Sequence, residues 1–192
     1  MSQRRTAFAR RVAIALLFAL PALTSAPAHA NSVEESAAAL APGEFVWQPE
    51  AASEGSVEIV VSLAEQMAYV FRGGTLIGVS TVSTGKPGND TPTGSFEILE
   101  KRREHYSNLY NNAPMPFMQR LTWDGIALHA GEIPGYPASH GCVRLPAGFA
   151  SRLFAVTRIG ATVHIVPDSP PSASAALDFA RGGGAQFAGG SD

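Results

Sequence analysis

Cysteine is almost absent from this sequence. Among its 192 residues, only Cys142 carries a thiol. A single cysteine has no intramolecular disulfide partner, so this thiol is either a buried structural group or a group kept for chemistry. Charged residues are scarce, at 16 % of the chain. The apolar run at 12–23 is too short for a transmembrane helix and contains Pro21.

The first 30 residues have the pattern of a signal peptide. Four arginines between positions 4 and 11 precede the apolar run, and Ala28-His29-Ala30 is a small-x-small cleavage signal. We therefore expect the mature chain to begin at Asn31 and to be exported to the periplasm or cell envelope. We expect no membrane span once the leader has been removed.

Basic residues are in the minority once the leader is set aside. The leader holds four of the 14 Lys and Arg residues, which leaves 10 against 16 Asp and Glu and a formal net charge of −6. This balance argues against a nucleic-acid partner. The glycine-rich segment 83–94 is not a phosphate loop, because Ser80 stands where the motif needs glycine and Pro87 where it needs Ser or Thr. No cofactor is expected.

Two flanking segments differ in composition from the middle of the chain. Residues 31–55 are rich in Ala, Glu, Pro and Ser, which predicts a linker with room for a helical turn at 36–40. Residues 168–192 carry Ser-Pro-Pro-Ser and then Ala and Gly repeats, which predicts a disordered tail with at most a short helix at 175–181. The folded domain is expected at 56–167.

The middle segment has the alternating pattern of a β protein. The first three predicted strands form a meander, and in the first of them Val57, Ile59, Val61 and Leu63 share one face. One helix is predicted at 146–158. Many short strands with one or two short helices favour a mostly β fold, a mixed sandwich or barrel. The predicted strands are 56–63, 67–72, 75–82, 94–101, 118–123, 125–130 and 162–166.

The stretch around Cys142 has the composition that a nucleophile needs. A nucleophilic thiol requires a base near it and N–H donors for the oxyanion that it creates. Gly141 lets the backbone turn its N–H groups toward one point, and neighbouring cations such as Arg144 would lower the pKa of the thiol. We therefore predict that Cys142 is catalytic.

Two histidines are candidates for the base. His129 ends an apolar strand and needs an orienting partner, for which Asp124, Glu132 or a backbone carbonyl are available. His140 is two residues from Cys142 and would need a special turn to reach the thiol, so we expect a supporting role for it. A zinc site formed by both histidines and the cysteine lacks the spacing that specifies such sites.

Two connections, 83–94 and 102–117, have a composition or length that a simple turn does not need. Segment 83–94 is interpreted as a stiff turn that shapes one wall of a cleft. The connection 102–117 contains His105 and Met115, which suit a lid over a substrate or, equally, a self-packed surface loop. His164 lies in an alternating strand and is interpreted as structural.

The cysteine motif resembles a known catalytic signature. The L,D-transpeptidases, the YkuD-like family, are similar in the segment Ser139-His140-Gly141-Cys142-Val143-Arg144-Leu145, which follows a strand that ends in His129. Upstream, Val82-Ser83-Thr84-Gly85-Lys86 and Thr91-Pro92-Thr93-Gly94-Ser95-Phe96 follow the same family's order, so the resemblance covers roughly 56–167. It implies a mostly-β catalytic domain that acts on peptidoglycan stem peptides.

The resemblance also implies roles for individual residues. Cys142 would attack the carbonyl of an L-centre diamino acid joined to D-Ala in a stem tetrapeptide. D-Ala would leave, and an amine would take the thioester to give a 3→3 cross-link. His129 would be the general base, oriented by the carbonyl of Ala130, and the N–H groups of His140, Gly141 and Cys142 would form the oxyanion hole. Substrate contacts are expected from Ser139, Arg144, Tyr136 and Phe117.

The same nucleophile and base serve more than one reaction. The leading hypothesis is an exported L,D-transpeptidase whose acyl acceptor is a stem peptide or an envelope protein. A carboxypeptidase or amidase on the same scaffold would use water in place of the amine. A peptidoglycan-binding module without catalysis is the non-enzyme alternative, and the presence of both Cys142 and His129 argues against it.

Overall fold

The computed structural model describes residues 28–37, 39–107 and 111–183. Most of the predicted signal peptide and the last part of the predicted tail lie outside these ranges, so both assignments stay predictions. Within the described residues, no helix is both long and apolar enough to cross a membrane.

The described chain is mostly β, with few short helices, which confirms the predicted fold class. The helices are α1 (Ala28–Ala37), α2 (Ala147–Val156) and α3 (Ala176–Gly183), with a 3-10 turn at Pro49–Ala51. The strands are β1 (Phe45–Trp47), β2 (Val57–Ser62), β3 (Met67–Arg72), β4 (Thr75–Thr81), β5 (Gly94–Glu97), β6 (Glu100–Arg102), β7 (Met118–Arg120), β8 (Ala127–Ala130), β9 (Val143–Leu145) and β10 (Thr162–Val166).

The larger sheet has six strands in the order β1-β4-β3-β2-β10-β5. Its centre is the predicted meander, in which β2, β3 and β4 pair antiparallel. Strand β10 joins β2 in parallel, with Val163 opposite Ile59. One face of this sheet, which carries Ile59, Val61 and Val163, packs into the main core against the smaller sheet and α2.

The smaller sheet has four strands in the order β6-β7-β8-β9, antiparallel except for the parallel pair β8–β9. Side chains alternate across a strand, so every second residue faces the core. Leu128, Val143 and Leu145 do so, and α2 contributes Phe149 and Leu153, all at most 1 % exposed. The residues between them point to the opposite face, which carries the site described below.

The first strand of the meander is buried on both faces, in contrast to its predicted one-sided pattern. Val60 points away from the main core, together with Tyr69 and Phe71 of β3. These side chains form a second apolar cluster that Val33 of α1 and Leu177 of α3 complete. The outer face of the larger sheet is therefore covered by helices from both flanking segments.

The described parts of both flanking segments pack onto the domain, where a linker and a disordered tail with at most a short helix at 175–181 were predicted. Strand β1 extends the larger sheet by pairing Val46 with Val79, and α1 and α3 lie over its outer face. The two segments also meet each other, because Ser174 Oγ donates to Glu34 Oε2 at 3.1 Å.

The predicted strand 94–101 is in fact two strands in different sheets. β5 pairs with β10, whereas β6 pairs with β7. The chain passes from one sheet to the other at Ile98 and Leu99. Ile98 is fully buried and donates its N–H to Ala161 O at 3.0 Å. Leu99 donates its N–H to Arg120 O at 2.8 Å. A continuous alternating pattern cannot reveal this crossing, because the two sheets share one core.

Candidate active site

The face of the smaller sheet that points away from the core carries its side chains in two rows. The register pairs Glu100 with Arg120 and Arg120 with Ala127. One residue before the paired part of β9, Cys142 continues this row beside Ala127. The first row therefore runs Glu100, Arg120, Ala127 and Cys142 from one edge of the sheet to the other.

The second row lies two residues away along each strand. The register pairs Arg102 with Met118 and His129 with Arg144, and one further step along β7–β8 places Met118 beside His129. Cys142 and His129 are therefore diagonal neighbours on one face. Diagonal neighbours in a sheet lie about 7–8 Å apart, a span that an imidazole and a thiol together can cover.

Both residues line one cavity of about 760 Å³. The cavity opens to solvent, because Trp123, Gly131 and His140 belong to its lining and are exposed. The sulfur is thus reachable by a peptide.

His129 is held as a neutral base. Only 8 % of its surface is exposed, and Nδ1 lies 2.8 Å from the carbonyl oxygen of Ala130. A carbonyl only accepts, so Nδ1 carries the proton and Nε2 is the basic nitrogen. Burial lowers the pKa of His129; the Ala130 contact opposes this, and the charges of Arg144 and His105 add to it. Among the orienting groups available in the sequence, a backbone carbonyl is thus the one bonded to Nδ1.

Cys142 is partly buried, and its Sγ lies 3.4 Å from the carbonyl oxygen of Gly125. Burial raises the pKa of the thiol above its usual range, and the charges of Arg144 and Arg120 only partly offset this. The expected lowering by cationic neighbours is therefore wrong in its net direction, because desolvation outweighs the charges. The resting thiol is protonated and needs a base to become a nucleophile.

The glycine-rich segment 83–94 braces the turn that precedes Cys142. Thr91 Oγ1 donates to Gly141 O at 2.8 Å and accepts the Gly85 N–H at 2.8 Å. A Cβ on Gly85 would lie 2.0 Å from Asn89 O, so only glycine fits there. No residue of this segment lines the cavity. It therefore supports the turn before Cys142 and does not form the cleft wall that was predicted.

Ser139 ties the ends of the same turn together. Its hydroxyl donates to Cys142 O at 2.5 Å and accepts the Gly141 N–H at 3.1 Å. Gly141 has a φ of +108°, a conformation that favours glycine. The Gly141 N–H, predicted for the oxyanion hole, is thus bonded within the turn and reaches an oxyanion only if the Ser139 hydroxyl releases it.

The other predicted site residues divide into two groups. Ala130, Ser139, His140 and Arg144 line the cavity. Phe117 and Tyr136 do not. Phe117 turns inward at a φ of +56° and packs on Phe154, with ring centroids 5.9 Å apart. Tyr136 is 61 % exposed outside the cavity. The sequence alone could not show where the side chains of Phe117 and Tyr136 point, because both residues lie in irregular loops.

The connection 102–117 both bonds to itself and walls the cavity. Met115 N–H donates to His105 O at 2.8 Å, and Phe117 N–H donates to Arg103 O at 2.9 Å. His105 and Met115 belong to the cavity lining. The two interpretations of this loop, a wall over a substrate site and a self-packed surface loop, are therefore compatible.

Among the cavity residues that were not identified from the sequence are Arg120, Met118 and Trp123. Arg120 and Met118 lie in a three-residue strand, too short for alternation to reveal a face. Trp123 is 76 % exposed in the β7–β8 turn, and the exposure of a large aromatic side chain becomes visible only in the structure. Within the described ranges, no three His, Cys, Asp or Glu side chains cluster as a metal site would require.

The fold and the site define a mostly-β domain in which one cavity holds a thiol and an imidazole as diagonal neighbours. The family model described as the L,D-transpeptidase catalytic domain, YkuD, matches residues 56–165. This match covers more than half of the chain, and the chain belongs to that family.

Individual relatives agree with this assignment. The chain is 27 % identical over 123 residues to L,D-transpeptidase 1 of Mycobacterium tuberculosis, covering 56 % of this chain and 49 % of the relative. It thus spans about half the length of the curated relatives it matches. An L,D-transpeptidase structure from Stackebrandtia nassauensis is 29 % identical with a TM-score of 0.55, covering 62 % of this chain and 58 % of that one. One from Xylanimonas cellulosilytica is 26 % identical with a TM-score of 0.54, covering 59 % and 62 %.

Proposed function

We propose that this protein is an exported L,D-transpeptidase that acts on peptidoglycan stem peptides through a thioester on Cys142. The observation that carries the proposal is the placement of the Cys142 thiol and the His129 imidazole as diagonal neighbours in one open cavity. Membership of the L,D-transpeptidase family supports the substrate class.

The first step forms the thioester. His129 Nε2 takes the thiol proton, and the sulfur attacks the carbonyl carbon of the L-centre diamino acid. The N–H groups of His140 and Cys142 stabilise the oxyanion, and that of Gly141 joins them once the Ser139 hydroxyl releases it. The C–N bond to D-Ala breaks, the imidazolium gives its proton to the leaving amine, and the acyl group stays on sulfur. Since burial favours the neutral form of both Cys142 and His129, the ion pair forms only as the reaction begins.

The second step transfers the acyl group to an amine. The amine of another stem peptide attacks the thioester carbonyl and gives a proton to His129. The C–S bond breaks, and the thiolate regains its proton from the imidazolium. The product is a 3→3 cross-link. An amine of an envelope protein would give protein attachment by the same steps.

The reaction is tested by mass spectrometry of the products from one disaccharide tetrapeptide. We expect release of D-Ala and a cross-linked dimer, and we expect Cys142→Ala to abolish both. Ser95→Ala, on the edge strand β5 outside the cavity, is the control that should keep wild-type yields. Undiminished dimer formation by Cys142→Ala would refute the mechanism. Tripeptide without dimer would instead identify a carboxypeptidase.

Export is tested separately, on the protein produced with its leader. The arginines and the small-x-small signal before Asn31 support it. We expect the protein in the periplasmic fraction with Asn31 as its first residue. Recovery of the uncleaved chain in the cytoplasm would contradict export while leaving the chemistry intact.

A further inference from the structure

Arg120 occupies the first row of the active-site face, two strands from Cys142. Only Ala127, with a methyl side chain, lies between them in this row. Adjacent strands are about 4.8 Å apart, so the two backbones are roughly 10 Å apart. The side chain of Arg120 is 17 % exposed and lines the same cavity as the thiol. Within this row only the methyl group of Ala127 lies between guanidinium and sulfur, and it is 1 % exposed because Met115 and Met118 pack on it.

The guanidinium of Arg120 is fixed in place by an ion pair. Its Nε donates to Glu100 Oε2 at 2.8 Å, and Glu100 Oε1 accepts from Arg102 Nε at 2.7 Å. The carboxylate of Glu100 thus bonds to two guanidiniums, and the cluster of these three side chains keeps a net positive charge. Because Nε makes the Glu100 contact, the remaining donors of Arg120 are on its two Nη atoms.

Electrostatic effects agree with this placement. Burial is the main cause of the shifted pKa values of Cys142 and His105, and the positive charge of Arg120 acts downward on both. Arg120 is thus near enough to both groups for its charge to act on them.

From this placement we infer that Arg120 binds the free α-carboxylate of the residue that leaves the acyl donor. The inference deepens the proposed function and rests on it. In such a donor the carboxylate carbon is three bonds from the scissile carbonyl carbon, less than about 4 Å away. With that carbonyl above Cys142 Sγ, a leaving residue that extends toward β7 brings its carboxylate to the part of the cavity that Arg120 lines.

Arg120 suits this task better than Arg144, the other guanidinium of the face. Arg144 pairs with His129 in the second row and therefore stands on the side of the base. Arg120 lies in the first row with Cys142, on the side of the cavity away from the base. A guanidinium forms short, paired hydrogen bonds with a carboxylate, which gives this contact both strength and direction.

Two acyl donors test the inference: one stem tetrapeptide that ends in D-Ala, and the same peptide that ends in D-alaninamide. The release of each leaving group is followed by mass spectrometry, and the ratio of the two kcat/KM values is compared between variants. The wild type should prefer the carboxylate at least about tenfold, the size of a hydrogen bond to a charged group. Arg120→Gln should bring the ratio close to one.

The ratio isolates the carboxylate contact. Loss of the Arg120 charge also raises the pKa of the Cys142 thiol, but this changes both rates alike and cancels. Arg120→Lys keeps the charge without the planar fork and should give an intermediate ratio. Arg102→Gln is the matched control, because Arg102 shares Glu100 but does not line the cavity. It should keep the wild-type ratio.

Three results would overturn the inference. In the first, Arg120→Gln remains folded and active with the wild-type ratio. In the second, Arg144→Gln and not Arg120→Gln removes the preference. In the third, the wild type releases D-Ala and D-alaninamide equally well, which leaves the proposed function standing. Release of neither leaving group by the wild type would defeat the proposed function itself, and the inference with it.

Discussion

His129 and His164 are both buried histidines in strands, one in each sheet. Each has 8 % of its surface exposed, and burial lowers the pKa of each. Nδ1 of His129 lies against a backbone carbonyl. Nδ1 of His164 lies 2.8 Å from Ser95 Oγ, and its Nε2 lies 3.7 Å from Glu58 Oε2. By burial and titration alone, the two histidines would be hard to tell apart.

Their surroundings separate them. The face that carries His129 opens into a cavity of about 760 Å³ that contains the thiol of Cys142. The face that carries His164 is covered by α3, whose Arg181 Nη2 donates to Glu58 Oε1 at 2.6 Å. His164 borders a smaller cavity of about 370 Å³ with largely apolar walls. A buried histidine with a shifted pKa is therefore a catalytic candidate only when a reactive group shares its open face.

The largest expected effect is on catalysis. His129→Gln should reduce the rate of D-Ala release about 10²–10⁴-fold, the usual contribution of a general base. His164→Gln should stay close to the wild-type rate, because the second histidine serves the packing of the larger sheet. The measurement is the initial rate with one tetrapeptide, with circular dichroism as the check on folding. If both variants remain folded and lose the same amount of activity, the conclusion that only His129 takes part in catalysis is wrong.

The pairing of Cys142 with His129 could be predicted from the sequence, and the structure places both residues in one cavity. A lone cysteine in a glycine-containing motif with an upstream histidine leaves few interpretations. The direction of the Cys142 pKa could not be predicted. It depends on how much water the folded chain removes from the sulfur, whereas the sequence shows only the neighbouring charges. Arg120 was missed for a related reason. Its importance comes from the register of β7 with β8, and a three-residue strand has no readable period.

The fold was predictable where strands are long and regular. The strand predicted at 67–72 has those same bounds, and the helix predicted at 146–158 contains α2. The sequence failed at β1, at the split of 94–101 and at β9, which lies inside the cysteine motif. These strands are three or four residues long, and their pairing depends on partners distant in the chain.

A moderate effect is expected on the pH dependence of stability. The folded pKa of His164 is lowered from 6.5 by burial, with Glu58 opposing and Arg181 adding to the shift. The unfolded chain therefore binds the proton first, so stability is full above about pH 6.5 and declines as the pH falls through the folded pKa. One such group contributes a slope of at most about 1.4 kcal/mol per pH unit.

Urea unfolding between pH 7 and pH 5 measures this slope. His164→Gln should flatten the decline. His129→Gln should flatten it as well, because the pKa of His129 is shifted in the same direction. The two substitutions would then have similar effects on the pH dependence of stability, while only His129→Gln lowers the rate of D-Ala release. If neither variant changes the slope, the buried neutral histidines are not what destabilises the fold in acid.

The smallest expected effect concerns the ion pair that closes the His164 region. The Arg181 side chain is 51 % exposed and that of Glu58 is 15 % exposed, so water screens much of their attraction. Arg181→Gln should lower the free energy of unfolding by less than about 1 kcal/mol, and less at high salt. Arg158→Gln, which removes another exposed cation, is the matched control for a change in net charge. A larger loss confined to Arg181→Gln would mean that α3 depends on this contact. The Arg181–Glu58 ion pair would then contribute more to holding α3 over His164 than the apolar cluster around Leu177 does.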